Sequence, residues 1–127
     1  MYYIIKLNGL YDILCALAIL DITPFILRTP LDVLIIPILR KLHTSMFLSI
    51  YYSESIVHRF FAYWIFTYGV IRLYSSDSTL IAYTYYIEAF AIANECFVKK
   101  TMHINKSVFV IFSSILLGFL CETCYKE

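Results

Sequence analysis

Asp12, His58, Arg59, Arg72, Glu88 and Glu95 fall inside stretches that are otherwise apolar. Ionisable groups in such places are costly. They face a bundle interior or a cavity, where they pair with one another or handle protons and ligands. Helical periodicity sorts them. At about 100° per residue, Thr84, Glu88 and Glu95 fall within roughly 40° of one another, with the two carboxylates about 10 Å apart along the axis. Asn8, Asp12 and Cys15 share a stripe of an earlier segment. Trp64, Tyr68 and Arg72 share one side of another segment, from which Arg59 points largely away.

Two kinds of chemistry suit these groups. Glu88, the deepest acid, is either satisfied by a neighbour such as Tyr68 or Asn8, or acts as a proton relay or ligand contact. Asp12 has the same choice between an interhelical hydrogen bond and a functional role. His58, next to Arg59, reads as an interfacial histidine before it reads as an acid–base catalyst. The stretch Arg59–Arg72 holds twelve uncharged residues, which cover only about 18 Å as a helix, less than a hydrocarbon core of about 30 Å. The arginines therefore do not bracket a span. Counting back to Glu54 completes one, with Arg59 inside its start and Arg72 reaching to the surface near its end. The turn Ser75-Ser-Asp-Ser78 folds this helix onto the next as an antiparallel hairpin. With the turn centred near residue 76, Arg72 is level with Ile81, and Arg59 is level with Asn94 and Glu95. An intramembrane charge survives when paired, so this register predicts a structural ion pair between Arg59 and Glu95.

The elements that position these groups follow from composition. The chain has 127 residues, 61% of them hydrophobic and only 15% charged, against about 25% charged in a soluble domain. The reading is an all-α integral membrane bundle, one domain over residues 1–127. About four transmembrane helices are expected, at 4–25, 54–74, 79–98 and 108–124, with a short interfacial segment at 31–42 interrupted by Pro37. Ser53 is a plausible cap for the second span, and Asp77 or Ser78 for the third. Pro24 and Pro30 end the first helix. Asp12 breaks any signal-peptide core. Arg28, Arg40, Lys41, Lys99, Lys100 and Lys106 fall in the loops after the first and third spans. Lys6, Arg72 and Lys126 fall on the other side, so the bias places those loops in the cytoplasm.

Several classes drop out. A net charge of +1 without a basic run leaves no nucleic-acid footprint. Gly9, Gly69 and Gly118 lie too far apart for a phosphate loop. Cys121-Glu-Thr-Cys124 is a lone CxxC, and zinc would need two further ligands of which only His103 is arguable. No metal and no cofactor are expected. The excess of Ile over Leu, with abundant Tyr and Phe, is a bias common in AT-rich genomes, organellar and large-virus ones included.

Arg59, Trp64 and Ile71-Arg72, followed after the next helix by Asn94-Glu95-Cys96-Phe97-Val98, resemble in spacing the Erg28 family, small four-span proteins of the endoplasmic reticulum. The resemblance covers roughly residues 58–120. The piece between Arg72 and Glu95 is shorter than in that family, Ala91-Ile-Ala-Asn94 stands where the family has a histidine, and the first 50 residues do not match. It implies a non-catalytic membrane scaffold that tethers sterol-biosynthesis enzymes. The expected function is a scaffold, assembly factor or accessory subunit of a larger membrane or virion complex. The alternatives are a membrane-embedded lipid- or sterol-modifying enzyme, or a proton or solute carrier. The expected partners are the lipid bilayer and other membrane proteins or further copies of the chain. The expected location is the endoplasmic reticulum or a virus-associated membrane.

Overall fold

Five helices account for nearly all of the residues that the computed structural model describes, 1–22, 30–48 and 55–125. They are α1 (Tyr2–Ile19), α2 (Pro30–Thr44), α3 (Ser55–Tyr74), α4 (Ser78–Ala93) and α5 (Ile104–Cys124). A π turn over Asn94–Val98 extends α4. The sequence expectations for Pro24, Arg28, Ser53, Glu54 and Lys126 lie outside the described residues.

The boundaries follow local chemistry. Asp77 caps α4, its carboxylate accepting from the backbone N–H of Thr79 at 2.9 Å and of Leu80 at 3.1 Å. α1 stops at Ile19 rather than near residue 25, and Asp21 follows with φ 63°. The carbonyl of Ala18, which takes only a long hydrogen bond from the Asp21 N–H at 3.4 Å, also accepts from Arg40 Nε at 2.8 Å, and the Arg40 guanidinium pairs with Asp21. Arg40 thus ties α2 to the end of α1. The segment read as short and interrupted is a continuous helix through Pro37. α5 begins four residues before the expected 108.

The helices run up and down. Lys6 reaches the Ser75 carbonyl in the α3–α4 turn at 2.5 Å, and the rings of Tyr2 and Tyr125 stack 5.7 Å apart. Both termini and that turn therefore share one end. At the other end the α2–α3 and α4–α5 connections bind each other, His103 N–H donating to the Met46 carbonyl at 2.7 Å. α1 packs along α3 and α4 along α5, whereas α3 and α4 touch over a shorter length despite their short turn.

Glycine sets the α1–α3 crossing. A Cβ on Gly69 would sit 2.8 Å from the Gly9 carbonyl oxygen, and one on Gly9 would sit 2.9 Å from the Gly69 carbonyl oxygen. The two backbones touch, as small residues allow when apolar surroundings supply little push between helices. Gly118 plays a milder part, lying under the Tyr86 ring.

Large apolar side chains cover the outside: Tyr3, Phe60, Phe90, Phe109 and Phe112 are all more than 60% exposed. Inside lie Asp12, Arg72, Thr84, Ser107 and Ser114. Most of the buried side chains are apolar, and these five polar ones lie among them, including an arginine and an aspartate, which are almost never fully buried unless paired. Among the described residues two helices, α1 and α5, are long and apolar enough to cross a membrane. α3 is long enough but carries His58, Arg59 and Arg72.

Gly69→Ala meets backbone that cannot step aside, so it should destabilise the bundle by about 1–3 kcal/mol, the usual cost of overpacking. Gly118→Ala meets a ring that can swing, so it should cost less. Denaturant titration of the two variants in detergent micelles, followed by circular dichroism, compares them.

Candidate functional site

Arg72 is the largest fully buried side chain, at 1% exposure. This corrects the expectation that it reaches the surface. Its Nη1 donates to Asp12 at 2.7 Å, its Nη2 to Glu88 at 2.6 Å, and its Nε to Thr84 Oγ1 at 3.0 Å. The Thr84 hydroxyl donates in turn to the Ile81 carbonyl, and Ser114 of α5 donates to the same Glu88 oxygen at 3.2 Å. The guanidinium carbon lies 3.7 Å from the Tyr85 ring centroid and 5.2 Å from that of Tyr68. One cation thus ties α1, α3 and α4 together, and Ser114 joins α5 to them.

Side-chain direction explains why counting along the hairpin missed this. Every Cα–Cβ bond leans toward its helix N-terminus. Arg72, near the end of α3, therefore leans away from the turn, while Glu88 on the antiparallel α4 leans toward it. Their Cα atoms sit at different depths, yet their charged ends meet. The glycine contact does the rest on α1. Because α1 and α3 run antiparallel, Asp12 and Arg72 lie on opposite sides of the Gly9–Gly69 contact, and each side chain leans back toward it, so the close crossing lets them meet.

The other candidates are dispersed. The Glu95 carboxylate accepts from Thr101 Oγ1, a contact formed where the π turn ends. Arg59 is exposed on α3, and the inward-facing acids Asp12 and Glu88 pair with Arg72. The hairpin register thus picked the wrong arginine for the buried pairing. His58 takes no part in the hydrogen bonds around Arg72. Asn8 accepts from the Tyr85 hydroxyl rather than serving Glu88. Tyr68 is buried, and its hydroxyl has no partner among the described residues. Trp64 stacks between Phe61 and Tyr68, at 6.1 and 5.0 Å. Cys121 lies in the core beside Ile5, Ile81 and Tyr85, while Cys124 is exposed.

A partly enclosed cavity of about 390 Å³ opens beside the clasp. Asp12 and Glu88 form its inner polar wall, and Phe61, Trp64 and Phe109 are among its apolar walls. Ser45, Asn105 and Lys106 line it near the loop end, with Lys106 Nζ held on the Ser45 carbonyl at 2.9 Å. Phe61, Trp64 and Ile92 separate it from an outer apolar groove of about 440 Å³. His43 of α2 also lines the cavity, a residue that the sequence did not single out. Its Nδ1 lies 3.1 Å from the Leu39 carbonyl, which assigns the proton of the neutral ring to Nδ1 and leaves Nε2 an acceptor. No local pattern announces His43, because α2 brings it in from a distant segment.

Removing Arg72 alone strands two buried acids. Arg72→Met should therefore cost about 3–5 kcal/mol of unfolding stability. Adding Asp12→Asn and Glu88→Gln to it should recover most of the loss, since the triple variant buries no unmatched charge; denaturant titration in micelles measures both. Burial holds the His43 imidazole below its usual pKa, against the opposing pull of the Leu39 carbonyl and Glu88. The unfolded chain then takes up its proton at higher pH than the folded chain does. The stability from a neutral His43 is complete above the usual histidine range and is lost as pH falls through the folded-state value. Melting temperature should show that acid limb, and His43→Gln should flatten it.

Against known proteins, no family model, no curated protein and no solved structure matches the chain, so its geometry carries the functional argument.

Proposed function

We propose that the chain is a small multi-pass membrane protein whose work is association: a non-catalytic scaffold, assembly factor or accessory subunit of a larger membrane or virion complex. The observation that carries this reading is the outer face of α5. Phe109, Phe112, Leu116 and Phe119 are 76%, 70%, 58% and 56% exposed, and they recur at the three-four spacing of a helix-packing seam. The polar groups within are engaged mainly with one another, and a carboxylate held by a guanidinium is a poor proton shuttle. The resemblance in spacing to the Erg28 family points the same way.

Four crossings, by α1, α3, α4 with its π turn, and α5, fit the up-and-down order. They would set α2 along the interface. Arg40, Lys41, Lys99, Lys100 and Lys106 gather at the loop end, which would then face the cytoplasm. With Arg72 buried, the opposite end keeps Lys6 among the described residues.

A second reading, a lipid- or sterol-modifying enzyme or a proton or solute carrier, draws on Asp12, Glu88 and His43 lining one cavity. Proteoliposome flux indifferent to Glu88→Gln would remove the carrier.

Labelling with a membrane-impermeant maleimide tests the topology. With Cys124 replaced by Ser, Ser76→Cys and Lys100→Cys should label from opposite faces of sealed vesicles. Labelling from the same face would remove α4 as a crossing. For association, Phe112→Ala with Leu116→Ala should reduce cross-linked partner or dimer several-fold in native membranes, while Phe90→Ala on α4 should not. A chain that runs as a lone monomer in mild detergent and yields no cross-linked species would overturn the association reading.

A further inference from the structure

The clasp does not use all of its acceptors. Asp12 is 6% exposed, and Arg72 engages its Oδ2. Glu88 offers Oε2 to both Arg72 and Ser114. Asp12 Oδ1 and Glu88 Oε1 accept no hydrogen bond from the described residues, yet both carboxylates border the cavity. One guanidinium faces two carboxyl groups, so with both ionised one negative charge is left at the inner end, to be balanced by a proton or by a bound cation. The neutral His43 adds a third acceptor, Nε2, to a cavity it lines with Tyr11. Lys106 cannot supply the missing cation, because it is exposed at the rim and bound to Ser45. Apart from the Tyr11 hydroxyl, the open polar groups of the inner wall are acceptors, and with both acids ionised that wall calls for a cation. The surrounding Trp64, Phe61 and Phe109 suit an apolar body, and aromatic faces also favour a nearby cation. The volume lies within the range of small-molecule sites, about 300–1,000 Å³.

We propose that this cavity is a binding site for a small lipophilic amine, with the ammonium donating to Asp12 Oδ1 and Glu88 Oε1 and the apolar body packed against Trp64 and Phe61. A hydroxyl could fill one of the open acceptors but would leave the charge unmatched, so an amine is favoured over an alcohol of the same shape. The site is complete within one copy of the chain, and it stands or falls independently of any partner on α5.

Trp64 is the chain's single tryptophan and lines both the cavity and the outer groove, so its emission reports occupancy, and Val110, which lines the cavity and not the groove, tells the two apart. The full chain in lipid nanodiscs is titrated with phenylbutylamine, and separately with phenylbutanol, while tryptophan emission is followed. The amine should change the emission saturably, and the alcohol should bind at least about tenfold more weakly, the worth of one charge-assisted hydrogen bond. Glu88→Gln should weaken the amine and not the alcohol. Because that change also touches the clasp, Val110→Phe serves as a second variant. Val110 lines the cavity and is absent from the hydrogen bonds of Arg72, so the added ring should abolish amine binding with the melting temperature retained. The proposal fails if amine and alcohol titrate alike, if Val110→Phe binds as the parent does, or if the amine leaves the emission unchanged. Each of these outcomes leaves the association reading intact.

Discussion

A guanidinium enclosed at 1% exposure is the constraint on which the rest of this protein depends. Removing such a group from water costs several kcal/mol or more, and only close, well-aligned acceptors return that energy. Arg72 has three: Asp12 on α1, and Glu88 and Thr84 on α4. They are 60, 16 and 12 residues away in sequence, so Arg72 is satisfied only when α1, α3 and α4 are all in place. A pair of this kind adds little net stability over an apolar core of equal volume. Its effect is to make other arrangements expensive, since sliding any one helix strands a charge.

The glycines make this arrangement possible. With side chains at Gly9 and Gly69, α1 and α3 would stand farther apart, and Asp12 would lose Arg72. Aromatic rings complete the enclosure, Tyr85 lying against the flat face of the guanidinium and Tyr68 farther off. The wider separation of α3 from α4 then has a cause. The layer between them holds an arginine and two tyrosines rather than small residues in backbone contact. Arg72, Asp12 and Glu88 are gathered inside, and large apolar side chains such as Tyr3, Phe90 and Phe109 stand on the outer faces of α1, α4 and α5.

The same cluster shapes the space next to it. Two carboxyl groups share one cation, and both residues also line the cavity. Fold and cavity therefore share residues. A change at Asp12 or Glu88 alters both, which is why variants on the far wall are needed to separate binding from folding.

Much was legible in the sequence. The apolar composition and the 3.6-residue rhythm required helices. The cost of charges in apolar stretches singled out Asp12, Arg72 and Glu88, and periodicity placed Thr84 with Glu88 and Tyr68 with Arg72. Asp77 was readable as a cap from its type and position. The partners were not legible. Counting levels along a hairpin treats side chains as perpendicular to the axis, whereas the lean of Arg72 and Glu88 in opposite senses closes a gap of several residues. That error turned attention to Arg59 and Glu95, and Glu95 instead meets Thr101. His43 was hidden because a helix from elsewhere in the chain delivers it, and Gly9 and Gly69 were hidden because closeness between backbones leaves no periodic trace. What the sequence alone determined is local: residue type and helical period settle which groups lie on one face of one helix and which of them need a partner. What only the tertiary structure decided is which faces meet, at what depth and how closely, because those depend on contacts between segments that share no local pattern.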